Sequence, residues 1–196
     1  MLYTNASLLR AAGTYDERYW QILNFGKNGS DCIAVADFIE SVKDLHHPLD
    51  HPLLVLRCCT DPAAARRVAQ VLAHAMAVHV EHHFCEKHPD DPRVRACNVA
   101  VGRFLRGEMP KQELMGIGLA ASEAARGAAV QGFPAVADAG WAAAAAAVDA
   151  FYTVTRGDVE DTGWAVWATA EVAVDASGEG ERNWQLNEFR RLLTVC

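Results

Sequence analysis

Chemistry with a readable signature is what this chain lacks. There is no Gly-x-x-x-x-Gly-Lys-[Ser/Thr] loop to cradle phosphates, no Gly-x-Ser-x-Gly turn around Ser7, Ser30, Ser41, Ser122 or Ser177, and no His-Glu-x-x-His pair. Nucleotidase, serine hydrolase and zinc protease readings therefore have no starting point. None of the six cysteines stands in a Cys-x-x-Cys pair, and no charged-then-apolar leader opens the chain at Met1-Leu2-Tyr3-Thr4. The expectation is a reduced, cytoplasmic protein whose cysteines serve as small buried hydrophobes. Alternating β-branched runs are nearly absent, which excludes a sheet-built fold and predicts helices throughout. No apolar run reaches the ~20 residues that a membrane crossing takes, because the longest candidate, Phe133 to Thr155, is interrupted by Asp138 and Asp149.

That same stretch is the organising element. Pro134 suits a first helical position, Arg156-Gly157-Asp158 stops the pattern, and alanine fills every position from Ala142 to Ala147. At 1.5 Å per residue the helix would be about 35 Å long. Steps of 100° place Phe133, Ala137, Trp141, Ala144, Val148 and Phe151 on one stripe, read as the core face, with Asp138, Ala142, Ala145, Asp149 and Arg156 opposite. Gly140 and Ala144, small and four apart, would admit a neighbouring helix closely. Further helices are predicted over Asn5 to Ala12, Tyr15 to Phe25, Asp31 to Leu45, Pro52 to Cys59, Pro62 to Lys87, Pro92 to Arg106, Pro110 to Val130, Asp158 to Ala176 and Glu181 to Val195, with Gly26 to Ser30 as a loop. Asp61-Pro62 and Asp91-Pro92 each pair a capping acid with an N1 proline. Short connections make the neighbours antiparallel hairpins. The predicted fold is all-α, one compact domain of antiparallel helical hairpins over residues 1–196, around the Ala-rich helix; 196 residues at 51% hydrophobic can bury roughly 70% of the unfolded chain's surface.

The net charge of −7 is unevenly placed. Nine acids and one base, Arg156, lie between Asp138 and Glu181, a local −8 that leaves the rest of the chain near +1. The asymmetry disfavours nucleic acid as a partner, and none is expected, since binding it relies on Lys and Arg against phosphates. A basic protein is favoured. The candidate contact residues are Asp149, Asp158, Glu160, Asp161, Glu171 and Asp175, on two consecutive helices. Trp164 and Trp167 share a face at i and i+3 and belong either to an interface or, with Trp184 and Phe189, to the core. Self-association into a homo-oligomer through the paired tryptophans is a further reading.

One cluster could carry metal chemistry. His79, His83 and Glu86 fall within about 20° on the helix from Pro62, continuing the stripe of Val68, Leu72 and Ala75. Two histidines at i and i+4 with a carboxylate one turn on could ligate zinc. Hydrogen bonding between histidine and carboxylate at a helix end explains the residues equally well, and the expectation is no metal, no cofactor and no enzyme. The arginines of the next helix, Arg93, Arg95, Arg103 and Arg106, read as a basic rim solvated or paired with nearby acids.

From about Leu53 onward the chain resembles the immunity protein family related to bacterial toxin immunity proteins. The likeness rests on Leu56-Arg57-Cys58 before a long helix, on Phe84-Cys85-Glu86-Lys87-His88-Pro89-Asp90-Asp91-Pro92-Arg93-Val94-Arg95, on the helix end Arg106-Gly107-Glu108, on the Ala-rich helices, and on Glu181-Arg182-x-Trp184-Gln185-x3-Phe189-x2-Leu192-Leu193. Residues 1–50 match loosely, and residues 51–196 form the family-like core. Where the family pattern carries histidines in the Ala-rich helices, this chain has Ser122, Trp141, Ala147 and Phe151. The resemblance implies an all-helical cytoplasmic protein that binds and neutralises a toxin or other effector enzyme. A phage- or plasmid-borne inhibitor of a host defence enzyme is the related alternative.

Overall fold

A two-stranded antiparallel ribbon, which the sequence did not announce, starts the structure: β1 (Tyr3–Asn5) pairs with β2 (Cys32–Ala34), Thr4 standing opposite Ile33. Three residues per strand are too few for alternation to register as a pattern, so the helices-throughout reading is corrected here. The computed structural model of the chain describes residues 1–12, 32–42, 52–156, 159–178 and 180–195. The expected helix Tyr15 to Phe25 and the loop Gly26 to Ser30 lie outside the described residues. β1 is also tied to the segment that follows residue 58, through the Thr60 N–H donating to the Tyr3 carbonyl at 2.8 Å and the buried Thr4 hydroxyl donating to the Cys58 carbonyl at 2.6 Å.

The other elements among the described residues are helical. Asn5 accepts the Leu8 N–H at 2.9 Å and caps α1 (Ala6–Ala12). β2 takes the first residues of the expected Asp31 to Leu45 helix, so that α2 begins only at Val35 (Val35–Val42). The stretch from Pro52 winds as a 3-10 helix (Pro52–Cys58) rather than an α-helix. The six that follow agree with the sequence to within two residues: α3 (Pro62–Lys87), α4 (Arg93–Leu105), α5 (Lys111–Val130), α6 (Pro134–Arg156), α7 (Val159–Ser177) and α8 (Gly180–Val195). Asp61 caps α3 as expected, accepting the Ala64 N–H at 2.9 Å with Pro62 at the first position. Asp91 works differently, bonding the Arg93 N–H at 3.1 Å and its guanidinium.

α6 is central, packed on α3, α4, α5 and α7. Its buried face is only partly the one expected, with Ala137 and Ala144 of the stripe at 1% and 5% exposure. Val148 is 40% exposed and Trp141 is only partly buried, whereas Ala142, assigned to the outer side, is 0% exposed along with Ala139 and Ala143. The wheel was phased on the bulky residues, but a helix enclosed by four neighbours is buried nearly all round, and close approach admits only small side chains there. The large residues are left for the open side, at Trp141 and Val148; the side chain of Phe151 lies outside the described residues. Gly140 and Ala144 do serve close approach, as expected: a Cβ at Gly140 would stand 2.8 Å from the Ala125 Cβ, and one at Gly118 would stand 3.0 Å from the Ala147 Cβ, so α5 and α6 touch through small residues along their length. Trp141→Ala should therefore cost ~1–2 kcal/mol rather than the 3–5 of a fully buried aromatic, measured as a shift in urea midpoint.

Candidate functional site

His79, His83, Ser177 and Glu181 converge where the C-terminal half of α3 meets the α7–α8 turn. Gly178, at φ 85°, takes the left-handed conformation that ends α7, its N–H donating to the Val174 carbonyl at 2.6 Å, and the Glu181 N–H returns to the Gly178 carbonyl at 3.0 Å. This tight reversal sets Ser177 and Glu181 against the same stretch of α3. The helix period of α8 then puts Glu181, Gln185, Phe189 and Leu192 on one buried line.

Glu181 is 3% exposed. Gln185 Nε2 donates to its Oε1 at 3.3 Å and to the Ala170 carbonyl at 2.9 Å, while Oε2 accepts no hydrogen bond. Facing it is His79, whose Nε2 lies 3.3 Å from Oε2 and whose ring stacks on Trp184, centroids 3.8 Å apart and planes at 11°. Burial pushes the Glu181 carboxyl up to about 7, against the lowering influence of the Gln185 hydrogen bond and the His82 charge. Burial likewise pushes the His79 imidazole down, with the charges of His82 and His83 adding to it. Both shifts have one cause: burial disfavours the charged form of each group, so the carboxyl keeps its proton up to about pH 7 beside an imidazole pushed toward its neutral form.

His83 Nε2 meets the Ser177 hydroxyl at 2.8 Å, and its ring lies 4.0 Å from that of His82. Burial and the His82 charge push its imidazole down, partly offset by Glu86. The structure thus separates the predicted metal set: His79 turns to Glu181, His83 to Ser177, and Glu86 is exposed and forms no ion pair with either imidazole. Among the described residues no group of three His, Cys, Asp or Glu side chains is placed to hold a metal ion. Local charge alone groups Glu181 with the exposed acids of the second half; its i, i+4, i+8 spacing to Gln185 and Phe189 is the signal in the sequence that it faces inward.

The other candidates fall elsewhere. Three of the rim arginines pair with acids, Arg93 with Asp91 at 2.6 Å, Arg95 with Glu81 at 3.0 Å and Arg106 with Glu108 at 2.7 Å, while Arg103 donates to the Glu108 backbone carbonyl at 3.5 Å. Cys58, Cys59 and Cys97 are buried, and burial pushes the Cys59 and Cys97 thiols up to about 12, which leaves them inert as nucleophiles. An open groove of about 560 Å³ lies at the α3–α4 turn, lined by residues 87–93, where Asp91 holds Arg93 and the Lys87 ammonium sits 5.3 Å from the Phe133 ring centre.

Of the predicted contact acids, Glu171 pairs with Arg182 at 3.4 Å and Asp175 is exposed on α7. Asp138 of α6 comes close enough to Asp175 that burial and the Asp175 charge both push its carboxyl up. Asp158 and the side chains of Asp149, Glu160, Asp161, Trp164 and Trp167 lie outside the described residues. No helix is long and apolar enough to cross a membrane among the described residues. No family model, curated protein or solved structure matches the chain.

Proposed function

We propose that the chain is a non-catalytic inhibitory binding protein whose acidic α6–α7 face covers a basic toxin or effector enzyme. The observation that supports the reading is the pairing of α6 with α7, which brings Asp138 and Asp175 together with no cation in ion-pair distance of either among the described residues. Like charges held side by side on a surface are unfavourable within the monomer, and a complementary positive partner reverses that cost. The effective charge of the face is smaller than the formal −8 between Asp138 and Glu181, because Glu171 is held by Arg182 and the Glu181 carboxyl is buried and half-protonated near pH 7.

The test is kinetic. Binding to the product of the adjacent gene should slow as the Debye length falls from ~30 Å at 0.01 M salt to ~10 Å at 0.1 M. Asp158→Lys, Glu160→Lys, Asp161→Lys and Asp175→Lys together should lower the association rate by about tenfold at low salt, with the helical circular dichroism unchanged. Co-expression of the unaltered chain should relieve growth arrest caused by that gene product. Association indifferent to salt and to the four reversals would sink the acidic-face reading and move attention to Trp164 and Trp167.

A further inference from the structure

The His79–Glu181 contact ties together two elements that otherwise touch sparingly at this end. α8 is anchored along its later turns by the buried Phe189, Leu192 and Leu193, and by Arg190 reaching Glu40 of α2 at 2.9 Å. Its first two turns have different support: the stack of Trp184 on His79, the Gln185 bond to the Ala170 carbonyl, and the buried Glu181 carboxyl against His79. Glu181 presents an oxygen that is buried, accepts no hydrogen bond and faces an imidazole nitrogen at 3.3 Å. A carboxylate in that place is tolerable only while a proton is available between the two groups.

We propose that Glu181 and His79 form a proton-operated latch, which seats the first two turns of α8 (Gly180–Asn187) on α3 while one proton is shared and releases them when that proton is lost. The surrounding groups are those of three helices. α3 supplies His79, His82 and His83; α7 supplies Glu171, Asp175 and the hydroxyl of Ser177; α8 supplies Arg182, engaged with Glu171, and the neutral Gln185. Among these, no cation other than the histidines comes within ion-pair distance of the Glu181 carboxylate to replace the missing proton.

The sign follows from the raised carboxyl. Seated, Glu181 holds its proton to about pH 7; released into water it would titrate near 4.5. The seated form therefore binds more protons between those values, and release becomes easier as pH climbs from about 4.5 to about 7 and changes no further above it. His79 and His83 act in the opposite sense, since their imidazoles are pushed down from 6.5 and release takes up protons as pH falls. Comparison with Glu181→Gln, which keeps the shape and removes the titrating group, isolates the carboxyl.

Amide hydrogen exchange of the full chain at pH 5.5 and pH 8, corrected for intrinsic exchange, reads the latch directly. Protection across Gly180–Asn187 should fall more than tenfold further in the unaltered chain than in Glu181→Gln, while amides in the middle of α3 and α6 change equally in both proteins. Equal losses in the two proteins, or a fall spread uniformly over α3 and α6, would overturn the latch. Should Glu181→Gln fail to fold, a carbon-13 titration of the Glu181 carboxyl in the unaltered chain decides: a midpoint within a unit of 7 sustains the proposal, and one near 4.5 ends it.

Discussion

Phe84→Ala is expected to destabilise the protein by ~3–5 kcal/mol, a large share of the ~5–15 kcal/mol that holds a domain folded. The side chain is 1% exposed, near the end of α3, where the His88 ring packs against it at 5.0 Å and the His88 N–H closes the helix on the Phe84 carbonyl at 2.9 Å. Its removal leaves a cavity under the helix terminus, beside the His88 ring. The loss is the transfer free energy of the ring plus the cavity. Urea unfolding followed by circular dichroism should show the midpoint lowered with the slope unchanged. A loss below ~1.5 kcal/mol would mean that the α3 terminus repacks around the vacated space.

Gly140→Val is expected to be comparably damaging, at ~3 kcal/mol or more, for the opposite reason. A Cβ at position 140 already stands 2.8 Å from the Ala125 Cβ and 3.2 Å from the Ala125 Cα, so the obstruction includes backbone of α5 and no flexible side chain can swing aside. α5 and α6 would have to separate, opening the small-residue seam that continues to Gly118 and Ala147. Gly116→Ala is the control: nothing lies within 4 Å of a Cβ there, and the gain in helix propensity should raise stability by ~0.5–1 kcal/mol. If the two substitutions moved the unfolding midpoint in the same direction, the α5–α6 contact would be looser than described.

These two cases show what a sequence transmits. Capping and breaking residues act locally, which is why Asp61-Pro62 and Pro134 placed helix starts that the structure repeats to within two residues. Phasing a helix is another matter. For α6 the bulky residues were read as the inner face, but burial depends on how many neighbours surround a helix, and four of them leave interior room only for alanine and glycine. The ribbon of β1 and β2 was invisible because its pairing joins residues 3–5 to residues 32–34 and leaves no local period.

The candidate site divides along the same line. Composition alone determined the all-helical class, the acidic skew of the second half and the histidine-rich end of α3, since each is a property of nearby residues. Which histidine meets which acid was decided only by the tertiary structure: the α7–α8 reversal at Gly178 carries Glu181 to His79 and Ser177 to His83, across roughly a hundred residues of chain. Glu86, one turn beyond His83 on the same helix, is left facing solvent. Burial, and with it the shifted carboxyl of Glu181, exists only once three helices have closed around it, because desolvation belongs to the packed assembly and to no segment by itself.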